Sequence, residues 1–399
     1  MKNSKLKVKI AILSTSFLIM LPMLLAVVLG KAAEAFPEQG ISTIQLLLTL
    51  PTLVATVSGV LTGKAVQYIP KKTATIAALA LYIVGGIIPL IMSTQFVFFL
   101  VASGVLGFGQ GILLTVSSSL VADNFDGVER SSMMGKNSAA INLGGTLLAL
   151  VAGVISSVNW LYVYSMFFLA IPVIILVIFC LPKDVPSGKL EGGGSGGINK
   201  IVIFYTCFFL FYYIAQYTYS ANVALFIAAE GIGDSATAGI ASSIYTAAAI
   251  VSGILMGKFT EVLKDKIVPT GIAVVGVGMA VIYFIPQIAV VLIGGFLVGL
   301  GSGLVLPSIF VKVTQSVPPT ASAMAIATVN FGSSIGMFIS PSIINILGSS
   351  ASNITHQSAL RSNFICAVII CIIALIIMVV YQKMTEEKDT KSSKKADLV

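Results

Sequence analysis

Long apolar stretches, separated by short polar segments, are the main pattern of this chain. Residues 137–182, 267–311 and 313–360 contain no Asp, Glu, Lys or Arg. A helix needs about 20 mostly apolar residues to cross the hydrocarbon core of a bilayer, so each of the first two stretches accommodates two helices and a turn. The pattern predicts twelve spanning helices, at residues 10–30, 41–63, 73–94, 96–121, 135–157, 160–181, 200–228, 236–258, 267–286, 288–312, 321–348 and 358–382.

Composition and charge strengthen the membrane interpretation and orient the chain. Of the 399 residues, 57% are hydrophobic and 10% are charged, whereas soluble domains carry about 25% charged residues. With twelve helices both termini share one side, and that side holds every Lys and Arg except Lys31 and Arg361. The positive-inside rule makes it the cytoplasmic side of a cell membrane. We therefore interpret the net charge of +8 as a topology signal and expect no nucleic-acid partner.

Three segments of the first half recur in the same order in the second half. Residues 57–64 (VSGVLTGK) match 251–258 (VSGILMGK), 107–111 (GFGQG) match 299–303 (GLGSG), and 139–144 (AAINLG) match 327–332 (ATVNFG). Offsets of 194, 192 and 188 residues indicate a duplicated six-helix unit. An even helix number per unit makes the two repeats parallel, so we expect the glycines of residues 107–111 to oppose their copies across a pseudo-symmetry axis.

The repeat divides the chain into four predicted parts: a six-helix bundle at 1–182, a linker at 183–199, a second bundle at 200–382 and a charged cytoplasmic tail at 383–399. Residues 192–197 (GGGSGG) are all Gly or Ser, a composition typical of a flexible linker. The sequence leaves open whether this run is natural or inserted. The fold class is thus an all-α membrane protein of two pseudo-symmetric bundles.

The motifs of the first repeat resemble those of the major facilitator superfamily. Gly59-x-x-x-Gly63-Lys64 is similar to the start of the signature loop between helices two and three, with Gly63 where the family usually carries Asp. Gln110-Gly111 is similar to the family's R-x-x-Q-G segment, with Gly107 where the family has Arg. In helix five, Gly135, Gly144 and Ala152-Gly153 resemble the glycine-rich signature of the drug and metabolite exporter branch in bacteria, without that signature's Pro. The resemblance implies a transporter whose helices one, four, seven and ten line a central cavity.

Polar side chains on two of those implied cavity helices are the candidate substrate-binding residues. Tyr212, Gln216 and Tyr219 are spaced four and three residues apart, so they lie on one face of helix seven. An unpaired amide in hydrocarbon costs several kcal/mol, which argues that Gln216 faces the protein interior. Gln110 is the corresponding candidate on helix four. Asn142 and Asn330 occupy equivalent repeat positions, which favours a shared structural role over substrate contact.

Charged candidates lie near the ends of helices, because no Asp, Glu, Lys or Arg falls near a predicted bilayer centre. We expect a gate at the cytoplasmic mouth, where breaking ion pairs permits rocking of the two halves. Glu34, beyond the outer end of helix one, is the candidate for proton coupling, and a solvated loop acid is its alternative role. The candidate gating residues are Lys64, Asp123, Glu129 and Arg130.

These observations predict a secondary transporter that moves a small neutral or amphipathic organic compound by alternating access, acts as a monomer, and exports its substrate in exchange for protons. Uptake or facilitated diffusion of a small metabolite is the alternative, and a non-transporting membrane sensor is a third hypothesis. The four cysteines lie in apolar runs without C-x-x-C spacing or a neighbouring His, so we expect no metal and no cofactor. The chain lacks the clustered polar residues that an enzyme site requires.

Overall fold

A computed structural model describes the backbone of residues 2–66, 68–125, 127–181, 199–318, 322–355 and 357–396. Within these ranges it leaves out some side chains, Arg130 among them. The predicted linker at 183–199 lies almost entirely outside the described residues. The described chain contains twelve helices that are long and apolar enough to cross a membrane, which confirms the predicted count and the all-α fold class.

Nine of the spanning helices are single α-helices. They are α2 (Ile41–Ala65), α3 (Lys71–Ile91), α4 (Phe96–Asn124), α5 (Gly127–Val158), α8 (Ser235–Ile254), α9 (Ile267–Phe284), α10 (Ile288–Gln315), α11 (Ser322–Thr355) and α12 (Ala359–Ala396). The last of them continues well past its predicted end at residue 382. A short helix, Met256–Leu263, precedes α9.

The other three spanning helices are composite. In α1, the α-helices Lys2–Leu18 and Leu25–Ala35 flank a 3-10 turn at Leu21–Leu24. In α6, a 3-10 segment at Trp160–Leu169 leads into Ala170–Cys180. In α7, Lys200–Gln216 and Thr218–Ala229 are separated by a single residue.

The interruptions of α1 and α7 occupy equivalent places in the two repeats. Pro22 lies in the 3-10 turn of α1 and has no backbone N–H, so it removes one α-helical hydrogen bond there. Tyr217, which interrupts α7, lies 194 residues after Met23, and its hydroxyl is 4.0 Å from the Met23 sulfur. Two broken helices therefore meet in the middle of the molecule.

Glycines pack the helices of each half against one another. A Cβ on Gly111 of α4 would lie 2.1 Å from the carbonyl oxygen of Ala55 in α2. A Cβ on Gly303 of α10 would lie 1.8 Å from the Ser252 hydroxyl in α8. The expectation that these glycines oppose their copies across the molecule is wrong, because each of them is already in contact with a neighbouring helix of its own half.

The two halves meet mainly on the side away from the termini, which we call the far face; the side that holds both termini is the terminal face. Gly153 of α5 packs directly against Gly239 of α8 near the far face. Towards the middle, the Ser243 hydroxyl donates to the Thr146 carbonyl at 2.9 Å. Among the described residues, the cross-half hydrogen bond nearest to the terminal face joins the hydroxyls of Thr56 in α2 and Ser334 in α11 at 2.6 Å, two to three turns before the terminal ends of these helices. The far face is thus the closed side.

Candidate functional site

A central cavity of about 280 Å³ lies where the interrupted parts of α1 and α7 meet. Residues of α2, α5, α8, α10 and α11 complete its wall, so both halves contribute to it. No charged side chain is among the described residues that line it. Its wall is mostly apolar, with Met20, Met23, Leu24, Leu306 and Met337 among the contacts. Apolar walls with a few placed polar groups are typical of small-molecule sites.

Gln216 is the most firmly placed polar group of this wall. Its Nε2 donates to the Tyr245 hydroxyl at 2.7 Å and to the Ser302 hydroxyl at 3.0 Å. The Ser302 hydroxyl itself donates to the Val298 carbonyl at 2.6 Å, so towards Gln216 it acts as an acceptor. The Gln216 amide therefore presents its nitrogen, and not its oxygen, to Ser302. The Gln216 Oε1 is buried and has no hydrogen-bond partner among the described residues.

Tyrosine rings supply most of the remaining polar surface of the cavity. The rings of Tyr219 and Tyr245 stack with their centroids 5.5 Å apart, and the Tyr219 hydroxyl donates to the Ala241 carbonyl at 3.2 Å. Gly295 makes room for Tyr219, because a Cβ there would lie 2.1 Å from the tyrosine oxygen. The Tyr245 hydroxyl oxygen accepts a hydrogen bond from the Gln216 amide, so its own O–H can still donate one.

The four predicted substrate-binding residues fall into two groups. Gln216 and Tyr219 line the central cavity. Tyr212 is buried next to it, and its hydroxyl has no hydrogen-bond partner in the described part of the chain. Gln110 is buried in α4 outside the cavity wall. Helical spacing placed Tyr212 with Gln216 and Tyr219. Tyr212 and Gln216 do lie one turn apart in the same continuous helix, but at the level of Tyr212 the cavity wall is formed by the neighbouring Tyr213 instead.

Several cavity residues were not singled out from the sequence. Ser302 stands at the repeat position of Gln110, so the alignment of GFGQG with GLGSG contained the information needed to find it. Tyr245 had no such pointer, since an isolated tyrosine in an apolar helix has no distinguishing pattern. Asn142 lines the cavity, although its repeat partner favoured a structural role; its side-chain nitrogen donates to the Ser138 carbonyl at 2.9 Å.

The predicted gating acids pair with lysines of their own half. Asp123 forms an ion pair with Lys71 at the terminal face. Glu129 lies 2.8 Å from Lys9 and 3.0 Å from Lys5, and these lysines lower the pKa of its carboxyl group. Both pairs join helices of the first bundle and do not cross to the second. Lys64 is exposed at the terminal end of α2, and the Arg130 side chain lies outside the described residues.

Glu34 lies at the far face, as the sequence indicated. Its carboxylate pairs with Lys31 at 2.7 Å, and 56% of its side chain is exposed. It lines a cavity of about 120 Å³ between α1 and the start of α8, together with Asp234. This cavity is separate from the central one.

A cluster of four amide side chains closes the far face between the two halves. We call Gln45 of α2, Asn222 of α7, Asn345 of α11 and Asn363 of α12 the amide cluster. Gln45 donates to the Ala221 carbonyl and to Asn222, both at 2.9 Å, and accepts from Asn345 at 2.6 Å. The Asn363 amide lies 3.0 Å from Asn222 and 2.6 Å from Asn345. All members except the half-buried Asn345 are almost fully buried.

Two six-helix bundles that are related by sequence repeat, with interrupted helices around a shared central cavity, define the architecture of secondary transporters. The family model described as Major Facilitator Superfamily matches the chain twice, at residues 10–206 and 204–398. The chain belongs to this superfamily, and it is a membrane transporter of that type.

Solved structures with the same fold include transporters of several kinds. A bacterial homolog of the human lysosomal transporter Spinster, in an inward-facing and unoccupied conformation, is 13% identical with a TM-score of 0.78; the match covers 95% of this chain and 97% of that one. The POT family transporter PepTSo gives 11% identity, a TM-score of 0.75 and coverages of 96% and 98%. A D-xylose-proton symporter is 14% identical with a TM-score of 0.72, and the match covers 93% of this chain and 96% of that one. No curated protein sequence matches the chain.

Proposed function

We propose that this transporter carries a small neutral or amphipathic organic compound through its central cavity. The observation that supports the proposal is a cavity at the junction of two interrupted helices, lined by tyrosines and Gln216 and by no charged residue among those described. A strongly charged substrate would lose its hydration there without gaining a counter-ion. Tyrosine faces offer apolar contact and hydrogen bonds to a neutral compound.

Alternating access explains why the two halves are in hydrogen-bonded contact at the far face and lack such contacts among the described residues at the terminal face. The amide cluster and the Gly153–Gly239 contact hold the far face shut, while the terminal ends of the halves are free of cross-half hydrogen bonds among the described residues. The lysine distribution makes the terminal face cytoplasmic in our proposal, with the protein as a monomer in the cell membrane. The conformation is then inward-facing, and transport requires the amide cluster to separate.

Export coupled to protons is the direction that we propose, on the resemblance of helix five to the exporter branch. None of the described residues that line the central cavity is an acid, which leaves Glu34 as the candidate for a proton site at the far face. A facilitative or symport uptake permease is the alternative, and the fold is shared with a D-xylose-proton symporter. We also propose that the terminal face is gated by Lys64, Asp123, Glu129 and Arg130. In this gate, the ion pairs that Asp123 and Glu129 form with lysines rearrange when the terminal face closes.

Transport by the purified protein in proteoliposomes tests the substrate class. A panel of radiolabelled compounds would pair chloramphenicol and other neutral aromatic amides and alcohols with succinate, a small dianion, under imposed pH or sodium gradients. We expect saturable transport within the neutral group, reduced by Gln216→Leu and unaffected by Cys207→Ser, an exposed position remote from the cavity wall. Saturable, Gln216-dependent transport of succinate contradicts the proposal.

A further inference from the structure

A groove of about 760 Å³ lies at the terminal face of the second half, between the start of α9 and the membrane end of α12. Lys264 and Lys266, from the turn before α9, and Lys383, from α12, stand around its rim. About two helical turns deeper, the wall is apolar and includes Ala273 and Leu375. Both α9 and α12 pack against helices of their own half, so the groove lies away from the central cavity.

The equivalent place in the first half is built differently. Lys72 donates to the carbonyl oxygens of Ile178 at 2.6 Å and Leu181 at 2.7 Å, where α6 ends. Lys266 follows Lys72 by 194 residues, the offset that relates residues 57 and 251. The helix beside Lys266 does not end there, because α12 continues to Ala396 and its carbonyls are bonded within the helix. The lysine in the second half thus lacks the carbonyl partners that Lys72 has.

The positive charge of the rim is not neutralised by the acid in the turn. Asp265 also lines the groove, and its carboxylate lies 3.6 Å from Lys312, while its backbone carbonyl accepts a hydrogen bond from Gln382 at 2.7 Å. All three rim lysines are exposed, and their side-chain ammonium groups make no hydrogen bond or ion pair with the described residues. The backbone of Lys264 has φ 47°, a conformation uncommon for any residue with a side chain and easy for glycine.

We propose that this groove binds an anionic phospholipid. The three lysines hold the phosphate of the headgroup, and the apolar wall at Ala273 and Leu375 contacts the start of an acyl chain. A cationic rim above an apolar wall, between two spanning helices at the membrane surface, matches the shape and polarity of such a lipid. A neutral headgroup offers the lysines no net charge, and a soluble phosphate makes no use of the apolar wall.

Native mass spectrometry of the purified full-length protein tests the site. The protein is offered equal amounts of dioleoyl phosphatidylglycerol and dioleoyl phosphatidylcholine. We expect the wild-type protein to retain one molecule of phosphatidylglycerol in preference to phosphatidylcholine. In the variant Lys264→Gln/Lys266→Gln/Lys383→Gln, the affinity for phosphatidylglycerol should fall roughly fivefold for each lysine removed. Retention of phosphatidylcholine should not change.

A matched control variant, Lys136→Gln/Lys200→Gln/Lys258→Gln, removes three exposed lysines elsewhere near the terminal face and should retain the lipid. Ala273→Phe keeps all rim charges and narrows the apolar wall, so it should lower retention even if the triple variant fails to fold. Equal retention of the two lipids, or equal loss in both triple variants, overturns the proposal. Displacement of the lipid by free glycerol phosphate at the same concentration also overturns it, since the site then recognises a soluble anion.

Discussion

Replacing Gln45 by methionine should open the far face of the transporter. The side chain keeps its length and loses the amide that donates to Ala221 and Asn222 and accepts from Asn345. All three partners belong to the second half, so the lost bonds act on the contact between halves. Hydrogen bonds between membrane helices contribute on average about 0.6 kcal/mol each. Three of them sum to about 2 kcal/mol, which favours the far-open state roughly 20-fold.

Distances between spin labels report this shift directly. Labels at Glu38→Cys and Asn353→Cys, exposed at the far face on opposite halves, would be placed in a cysteine-free background and measured by pulsed electron spin resonance. We expect Gln45→Met to add a population with a longer distance. Gln110→Met makes the same substitution at another buried glutamine and should leave the distances unchanged. An unchanged distribution in Gln45→Met, or the same change in both variants, refutes the assignment of the amide cluster as the far-face closure.

Two further predictions concern stability. Gly111→Ala should destabilise the protein by about 1–3 kcal/mol, because the new Cβ meets backbone 2.1 Å away, whereas Gly63→Ala, with nothing within 4 Å, should have little effect in the same thermal unfolding assay. Glu129→Gln should lower the melting temperature at neutral pH. The lysines lower the pKa of Glu129, so its pairing stabilises the fold above the unfolded carboxyl pKa of about 4.3 and is lost as the pH falls through the folded value. The difference between wild type and Glu129→Gln should therefore disappear on acidification, and a difference that grows instead contradicts the pairing.

The fold was predictable because its main determinants are local in sequence. Apolar stretches of spanning length fixed the number of helices, and the three matched segments revealed the duplication. Pro22 marks the interruption of α1, but Tyr217 has no Pro or Gly beside it. The break in α7 lies where Tyr217 contacts Met23 of α1, a tertiary contact that the sequence pattern does not contain.

The candidate site was predictable only where a single helix carries a recognisable signal. Gln216 stood out as an amide in an apolar helix, and it lies at the cavity. The amide cluster did not stand out, because Gln45, Asn222, Asn345 and Asn363 are on four helices and are brought together only by the tertiary structure. The glycine contacts were misassigned because parallel repeats place equivalent helices around an axis without bringing them into contact.

Access to the central cavity from both membrane faces is the most direct test of the account. Ser242→Cys introduces a thiol into the cavity wall in a cysteine-free background. Membrane-impermeant methanethiosulfonate would be added from the terminal face, in inside-out vesicles, or from the far face, in intact cells. We predict labelling from both sides, with far-side labelling faster in Gln45→Met. Labelling from the terminal face alone, in wild type and in Gln45→Met, would contradict alternating access through this cavity.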